Sequence, residues 1–291
     1  MHDDTHILAV AQQAAHEAGE YLRQNVHARQ TVNAEYGHTV KLQADREAEA
    51  IIVDRIRQQC PEHTILSEED GGVRTDSGWR WVLDPLDGTA NYARQIPHYC
   101  TSIACYGPDD AAVCGVVYDP SRDELFAATP NTGLRLNDVP HGAADTTNLK
   151  KAFLAMGYCK RPPFFQIALA TYTELMQRVA KIRHTGATAL DLAWVAAGRF
   201  DAAVEYGVYL WDIAAALPML HAAGARAHVA IVDSDISQVT IATQAPGIDV
   251  TPYVQAEAEA EGDADAVGRL LRDFAIDHDG TGGRTPATTP A

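Results

Sequence analysis

Trp81-Val82-Leu83-Asp84-Pro85-Leu86-Asp87-Gly88-Thr89-Ala90-Asn91-Tyr92 is the stretch around which the chain is organised. The apolar run Trp81 to Leu83 predicts a buried strand. It delivers two carboxylates, Asp84 and Asp87, onto a turn that opens with Pro85 and closes at Gly88. Two acids three residues apart, beside a Gly-Thr step, suit a divalent cation bound by oxygen ligands. The backbone N–H groups of Gly88 and Thr89 are then free to face an anion at the start of a helix. The pattern predicts a metal-dependent site for a phosphate.

Composition bounds the rest. A chain of 291 residues with 46% hydrophobic and 21% charged residues is long enough for one large core or two stacked subdomains. Its formal charge of -16 argues against nucleic-acid or anionic-membrane surfaces, which demand clustered Lys and Arg. An acidic protein that handles a phosphate ester must offset repulsion locally, and bound cations do so most simply. The five cysteines, Cys60, Cys100, Cys105, Cys114 and Cys159, include no CxxC pair and read as buried thiols in a reducing compartment. The first residues, Met1-His2-Asp3-Asp4, lack a secretory pattern, and no apolar run approaches membrane-spanning length, so the cytoplasm is expected.

Outward from the central stretch, Asp4 to Val26 predicts a helix with an Ile7, Ala11, Ala14, Ala18, Leu22 stripe. Asn33 to His38 predicts a polar turn, and Leu42 to Gln59 a second helix with Ala48, Ile51, Ile52 and Ile56 inward. Near its start sit Lys41, Asp45 and Glu49, whose plainest reading is surface charges, Glu49 above all. Thr64 to Leu66 predicts a strand and Glu68 to Gly72 an acidic loop. Cys100 to Tyr106, Ala111 to Tyr118 and Glu124 to Ala128 predict an antiparallel sheet. A second block holds a strand from Ala152, helices over Gln166 to Val179 and Thr188 to Ala197, and a strand over Phe200 to Tyr206. A helix then runs from Trp211 to Gly224, with Pro218 bending it unless its first turn ends there. Two sheet blocks among helices indicate a layered α/β or α+β fold. After Ala256 the chain is too polar for a core, except for a helical stripe of Val267, Leu270, Leu271 and Phe274.

Glu68-Glu69, the run Asp84 to Tyr92 and Trp211-Asp212-Ile213-Ala214-Ala215-Ala216 together resemble the inositol monophosphatase family of magnesium-dependent, lithium-sensitive phosphatases. The similarity spans roughly Ile7 to Gly224. It implies an α+β fold, a layered αβαβα sandwich of the sugar-phosphatase type, commonly dimeric. Residues 1–145 would form an N-terminal subdomain with the metal site, 146–250 a C-terminal subdomain on the substrate side, and 251–291 an acidic tail with one short helix.

The resemblance also implies site roles. Glu68, Asp84 and the Leu86 carbonyl match the ligands of a first magnesium, and Asp84, Asp87 and Asp212 those of a second. Glu68 helps hold a third through water, with Asp45 close by. Carboxylates gathered this closely repel by about 4 kcal/mol per pair at an effective dielectric of 20, and cations resolve that repulsion. Thr89 with Glu68 matches the pair that orients the attacking water, and the Gly88 and Thr89 amides match the phosphate cradle. Hydrolysis is expected to be direct and in line, with one magnesium activating water, a second stabilising the departing alkoxide, and a water near Asp212 protonating it.

Glu205, seven residues before Asp212, matches the acid that accepts hydroxyls of an inositol ring, and Gly186-Ala187-Thr188 the loop on the sugar side. Val40-Lys41-Leu42-Gln43-Ala44 departs from the family's Val-Thr pair before Asp45, which bears on the third cation and on lithium sensitivity. Leu217-Pro218 resembles relatives that act on histidinol phosphate, whereas Asn91-Tyr92 favours the inositol phosphate branch. His98 and His184 lack metal-ligand spacing and read as packing or surface residues. The expected partners are a small phosphorylated metabolite and a second copy of the chain, with neither nucleic acid nor membrane. A contrasting reading is a family member kept chiefly as a binding partner in a larger assembly.

Overall fold

The computed structural model describes residues 4–27, 32–36, 39–69, 72–160, 164–233 and 238–253, with only the backbone described over 32–36, 39–42, 231–233, 238–240 and at 242. Helix α1 (Asp4–Asn25) buries Ile7, Val10, Ala11, Ala14, Ala15, Ala18 and Leu22, a stripe at helical spacing. A hairpin of β1 (Val32–Tyr36) and β2 (Thr39–Leu42) follows, where the sequence predicts only a polar turn over 33–38. The β-formers Val32, Tyr36, Thr39 and Val40 flank Gly37-His38 and outweigh the local polarity; positions 37 and 38 lie outside the described residues.

Helix α2 (Gln43–Gln59) buries Ala44, Asp45, Ala48, Glu49, Ile52 and Ile56. Asp45 and Glu49 are therefore not surface charges. They share one 3.6-residue stripe with Ala48, Ile52 and Ile56, so the packing that buries the isoleucines buries the acids. The side chain of Lys41 is outside the described set.

The first sheet has seven strands, β3 (Thr64–Ser67), β4 (Arg80–Asp87), β5 (Cys100–Tyr106), β6 (Ala112–Asp119), β7 (Glu124–Thr129), β8 (Gly133–Leu136) and β9 (Val139–His141), with helix α3 (Thr89–Ala93) after β4. They lie side by side in sequence order. Only β3 and β4 are parallel, and the other pairs are antiparallel.

The second half contributes β10 (Phe153–Tyr158), α4 (Phe164–Met176), β11 (Lys181–Arg183), α5 (Thr188–Ala196), β12 (Ala202–Val208), α6 (Leu210–Ile213), α7 (Ala216–Ala222), β13 (Arg226–Asp233) and β14 (Gln238–Gln244). Their five strands are ordered β11-β10-β12-β14-β13. The single helix expected from Trp211 to Gly224 is two, broken at Ala214-Ala215. Pro218 falls in the first turn of α7, where its missing N–H has no intrahelical partner to lose.

Three apolar clusters join these elements into five layers. One packs α1 and α2 on the outer face of the first sheet through Ile7, Leu22, Ile52, Trp81, Leu83 and Ile103. A second fills the space between the sheets with α5, α6 and α7, through Val82, Val117, Leu190, Ile213, Leu220 and Ile241. The third seats α4 on the far face of the second sheet, through Leu154, Phe164, Leu175 and Val204. The order α, β, α, β, α is the predicted sandwich. Each buried Leu, Ile or Val contributes about 1.5–3 kcal/mol relative to exposure, so the layers are held by many comparable contacts. Cys60, Cys100, Cys105 and Cys114 are buried free thiols as expected, while Cys159 is half-buried.

Candidate active site

The site forms where β4 leaves the first sheet. Trp81 and Leu83 point to the α1–α2 layer and Val82 to the helix layer between the sheets. By strand alternation Asp84 shares the face of Val82 and is 1% exposed. β4 continues to Asp87 rather than ending at Leu83, but its pairing with β5 shifts register between Asp84 and Asp87. Pro85 has no N–H to give to a ladder, and this irregular segment turns both carboxylates toward one place. Asp84 Oδ1 accepts from the Leu86 N–H at 3.1 Å, which fixes the local turn.

The third acid comes from the other half of the chain. Asp212 lies in α6, where its Oδ2 accepts from the Tyr209 N–H at 2.7 Å. Asp84, Asp87 and Asp212 each offer an oxygen within 4.8 Å of the others. Three carboxylates this close disfavour their own ionisation. Burial, then the charges of Glu68, Asp87, Asp212 and Asp45, hold Asp84 well above the usual carboxylate range. Burial, then Asp191, pushes Asp87 up to about 7, and burial, then Asp87, does the same for Asp212.

The other predicted residues surround this cluster. Glu68, half-buried just after β3, and buried Asp45 on α2 lie near enough to act on Asp84 electrostatically, but neither belongs to the tight group of three. Thr89 opens α3, and its hydroxyl lies 3.1 Å from Asp45 Oδ1 and 3.0 Å from the Leu86 carbonyl, able to donate to either. Gly88 precedes it at φ 86, a left-handed conformation that a side chain would strain. A Cβ there would also come 3.0 Å from the His98 carbonyl and 3.1 Å from Ala187. The Gly186-Ala187-Thr188 loop thus lies against the turn that carries the acids.

Asp87 is held from that side. Its Oδ1 accepts from the Thr188 N–H at 3.1 Å and its Oδ2 from the Ala189 and Leu190 N–H groups at 2.8 and 3.4 Å, all from the first turn of α5. Glu205 is 3% exposed on β12, the middle strand of the second sheet, with Oε2 3.5 Å from Thr188 Oγ1. It faces Gly157 of β10, whose hydrogen in place of a side chain leaves room for the carboxylate. Burial, then the charges of Asp191 and Asp87, keep Glu205 well above the usual range.

Two further residues carry parts of the site that the sequence reading leaves without a role. Asn91 donates from Nδ2 to the carbonyls of His98 and Thr185, both at 2.8 Å, and so ties the acid-bearing turn to the loop before α5. Asp191, 2% exposed on α5, accepts from Thr185 Oγ1 and pairs with His98 Nε2 at 3.2 Å. A lone acid inside Ala189-Leu190-Asp191-Leu192-Ala193 was the available signal, since a charge in an apolar run is buried only when partnered. His98 is thus a satisfied buried histidine. His184 is exposed, stacks on Tyr158 at 5.0 Å and lies 2.9 Å from the Met156 carbonyl through Nδ1.

Comparison with known proteins finds clear relatives of the chain. Nus factor SuhB of Escherichia coli strain K12 is 38% identical over 222 residues, covering 75% of this chain and 83% of that protein. An inositol-1-monophosphatase of Synechocystis is 39% identical over 184 residues, 62% of this chain and 64% of that protein. Among solved structures, the extragenic suppressor protein suhB of Bartonella henselae superposes with a TM-score of 0.77 at 30% identity, covering 86% of this chain and 99% of that one. An inositol monophosphatase from Anabaena gives 0.71 at 29% identity, covering 91% and 95%. A sequence profile described as the inositol monophosphatase family matches residues 3–259, and the chain belongs to that family.

Proposed function

We propose that this protein is a magnesium-dependent phosphatase that hydrolyses a small phosphate monoester, with inositol 1-phosphate as the lead substrate. The observation that carries the reading is the convergence of Asp84, Asp87 and Asp212, oxygens within 4.8 Å, from opposite halves of the chain. The donor set fits magnesium: the groups are hard oxygens, and the site raises their proton affinity when no cation is there to balance them. Glu68, Asp84, the Leu86 carbonyl, Asp87 and Asp212 would hold two ions, with Asp45 and Glu68 near a third. Bound there, the metal supplies Lewis acidity toward phosphate oxygens and lowers the pKa of water.

The chain's own groups do the rest. Thr89 Oγ1 donates to Asp45 or Leu86 and keeps a lone pair for one proton of the attacking water, while Glu68 accepts the other. The Gly88 and Thr89 amides orient the phosphate. A new P–O bond forms to the water oxygen as the ester P–O bond breaks in line; the departing alkoxide takes a proton from a water held at Asp212, and the proton that Glu68 accepted neutralises the hydroxide left there. Glu205, beside Thr188 in the loop that starts at Gly186 and Ala187, suits a polyol whose hydroxyls can donate to it.

In this reading residues 1–145 carry most of the metal site and 146–250 supply Asp212 and the substrate side; the acidic tail with its expected helix lies, from residue 254 on, outside the described residues. The cytoplasm is its compartment; no described helix is long and apolar enough to cross a membrane. A homodimer is supported by α4, which leaves Phe165, Leu169, Tyr172 and Met176 exposed at helical spacing, an apolar face suited to a second copy.

A second reading, a role as a binding partner in a larger assembly, is favoured by the 38% identity to a protein named a Nus factor. A phosphate-release screen over inositol 1-phosphate, histidinol phosphate, fructose 1,6-bisphosphate and 3'(2'),5'-bisphosphate nucleotides separates the two. It is run with magnesium, with a chelator and with lithium. Magnesium-dependent release supports the phosphatase. No release from any ester, with a stoichiometric partner recovered by pull-down, supports the second reading.

A further inference from the structure

Both oxygens of Asp87 are committed to the first turn of α5, so the direction in which that carboxylate presents its remaining lone pairs depends on where α5 begins. What holds that turn in place is a second set of contacts. Asp191, one turn further along α5, accepts from Thr185 Oγ1 just before the helix and pairs with His98 Nε2 from the segment before β5. Asn91 closes the web by donating to the carbonyls of the same two residues, His98 and Thr185. These contacts tie three segments together: His98 and Thr185 meet at Asp191, and Asn91 joins the segment that carries Asp87 to both of them.

Asp191 is a costly residue to keep here. It is almost fully buried, and its charge acts against both Asp87 and Glu205. Neither the water-orienting group nor the carboxylate cluster includes it. We infer that Asp191, braced by His98 and Thr185, is a positioning residue: it fixes the start of α5 and through its amides aims Asp87 at the metal site. This inference rests on the magnesium reading above. Outer partners of metal-binding carboxylates typically change metal affinity by about 10–100-fold when removed, which is the scale expected for this web.

The test uses the full-length protein and magnesium chloride alone, titrated by calorimetry, with thermal melting to confirm folding. Asp191→Ala is expected to weaken magnesium binding by roughly tenfold or more, while kcat at saturating magnesium changes far less than the magnesium requirement. Asp191→Asn keeps an acceptor for Thr185 and can meet His98 through its other tautomer, so it is expected to bind magnesium close to the unaltered protein. Thr185→Val removes one donor without touching the acid and is expected to show a smaller loss in the same direction, which covers the case in which Asp191→Ala does not fold. Folded Asp191→Ala or Thr185→Val with unaltered magnesium affinity overturns the inference, as does Asp191→Asn binding as weakly as Asp191→Ala. If the unaltered protein itself binds no magnesium, the metal reading falls and takes this one with it. If it binds magnesium and the variants match it, only the positioning role is lost.

Discussion

Withdrawing magnesium should make the protein progressively less stable as pH rises from about 4 to about 7, and the buried acids set the size of the effect. Asp87 and Asp212 rise from an ordinary 3.8 to about 7 in the folded chain. Below about pH 4 the folded and unfolded chains both hold these protons, so no penalty exists. Between about pH 4 and 7 the unfolded chain ionises while the cation-free fold keeps its protons, and each group then disfavours the fold by about 1.4 kcal/mol per pH unit. The cost is complete above about pH 7. Because the three acids act on one another they share protons and their costs do not add, so one group's worth is the working figure.

From pH 5 to pH 7 that figure is about 3 kcal/mol, which at about 2 cal/mol/K of unfolding entropy per residue corresponds to about 5 °C in Tm for a chain of this size. Bound magnesium would replace the protons and remove the penalty. Thermal melts in chelator and in excess magnesium, at pH 5, 6 and 7, should therefore show a gap in Tm that widens by about 5 °C over the series. Repulsion from the formal charge of -16 acts with and without the cation, so the difference between the two melts largely cancels it. Asp212→Asn should flatten the chelator series and shrink the magnesium-induced gap. A gap of constant size across the three pH values would refute the reasoning.

Further outcomes follow from individual contacts. Asp84→Asn or Asp212→Asn should leave the fold intact and abolish magnesium-dependent phosphate release, checked by circular dichroism beside the release assay. Thr89→Ala should lower kcat by about 10²–10⁴ while Thr89→Ser retains much of it, since only the hydroxyl meets Asp45 and Leu86. Gly157→Ala would place a Cβ 1.8 Å from Glu205 Oε2 and should raise KM for a polyol ester more than for a simple aryl phosphate, measured by steady-state kinetics. Gly115→Ala, whose Cβ would lie 2.1 Å from the Ala215 carbonyl and 2.7 Å from Pro218, should destabilise the fold by about 1–3 kcal/mol in urea melts, because β6 there packs directly against the break between α6 and α7.

The outer layers were legible in the sequence because they rest on local periodicity. The Ile7 to Leu22 stripe, the Ala48 to Ile56 stripe and the alternating runs from Cys100 to Ala128 each carry their own repeat. β8, β9 and β11 were not read because strands of three or four residues leave too weak a pattern; β13 and β14, at eight and seven residues, were passed over although Ala227, Val229 and Ile231, and Val239 and Ile241, recur at every second position. Glu49 was misread for a different reason: its charge was weighed above its place on the buried stripe, which it shares with Asp45.

By itself, then, the sequence determined the residue types of the site and their order along the chain. Asp84-Pro85-Leu86-Asp87-Gly88-Thr89 spells oxygen ligands beside an anion-binding turn, and Trp211-Asp212 supplies a further acid. Only the tertiary structure decided that Asp212 comes within 4.8 Å of Asp84 and Asp87, that α5 amides hold Asp87, and that Asp191 meets His98 across the fold. Spacing along the chain governs what a turn or helix can present, because backbone geometry is local. Which distant segments meet is set by the burial of whole layers against one another, and no single stretch encodes that.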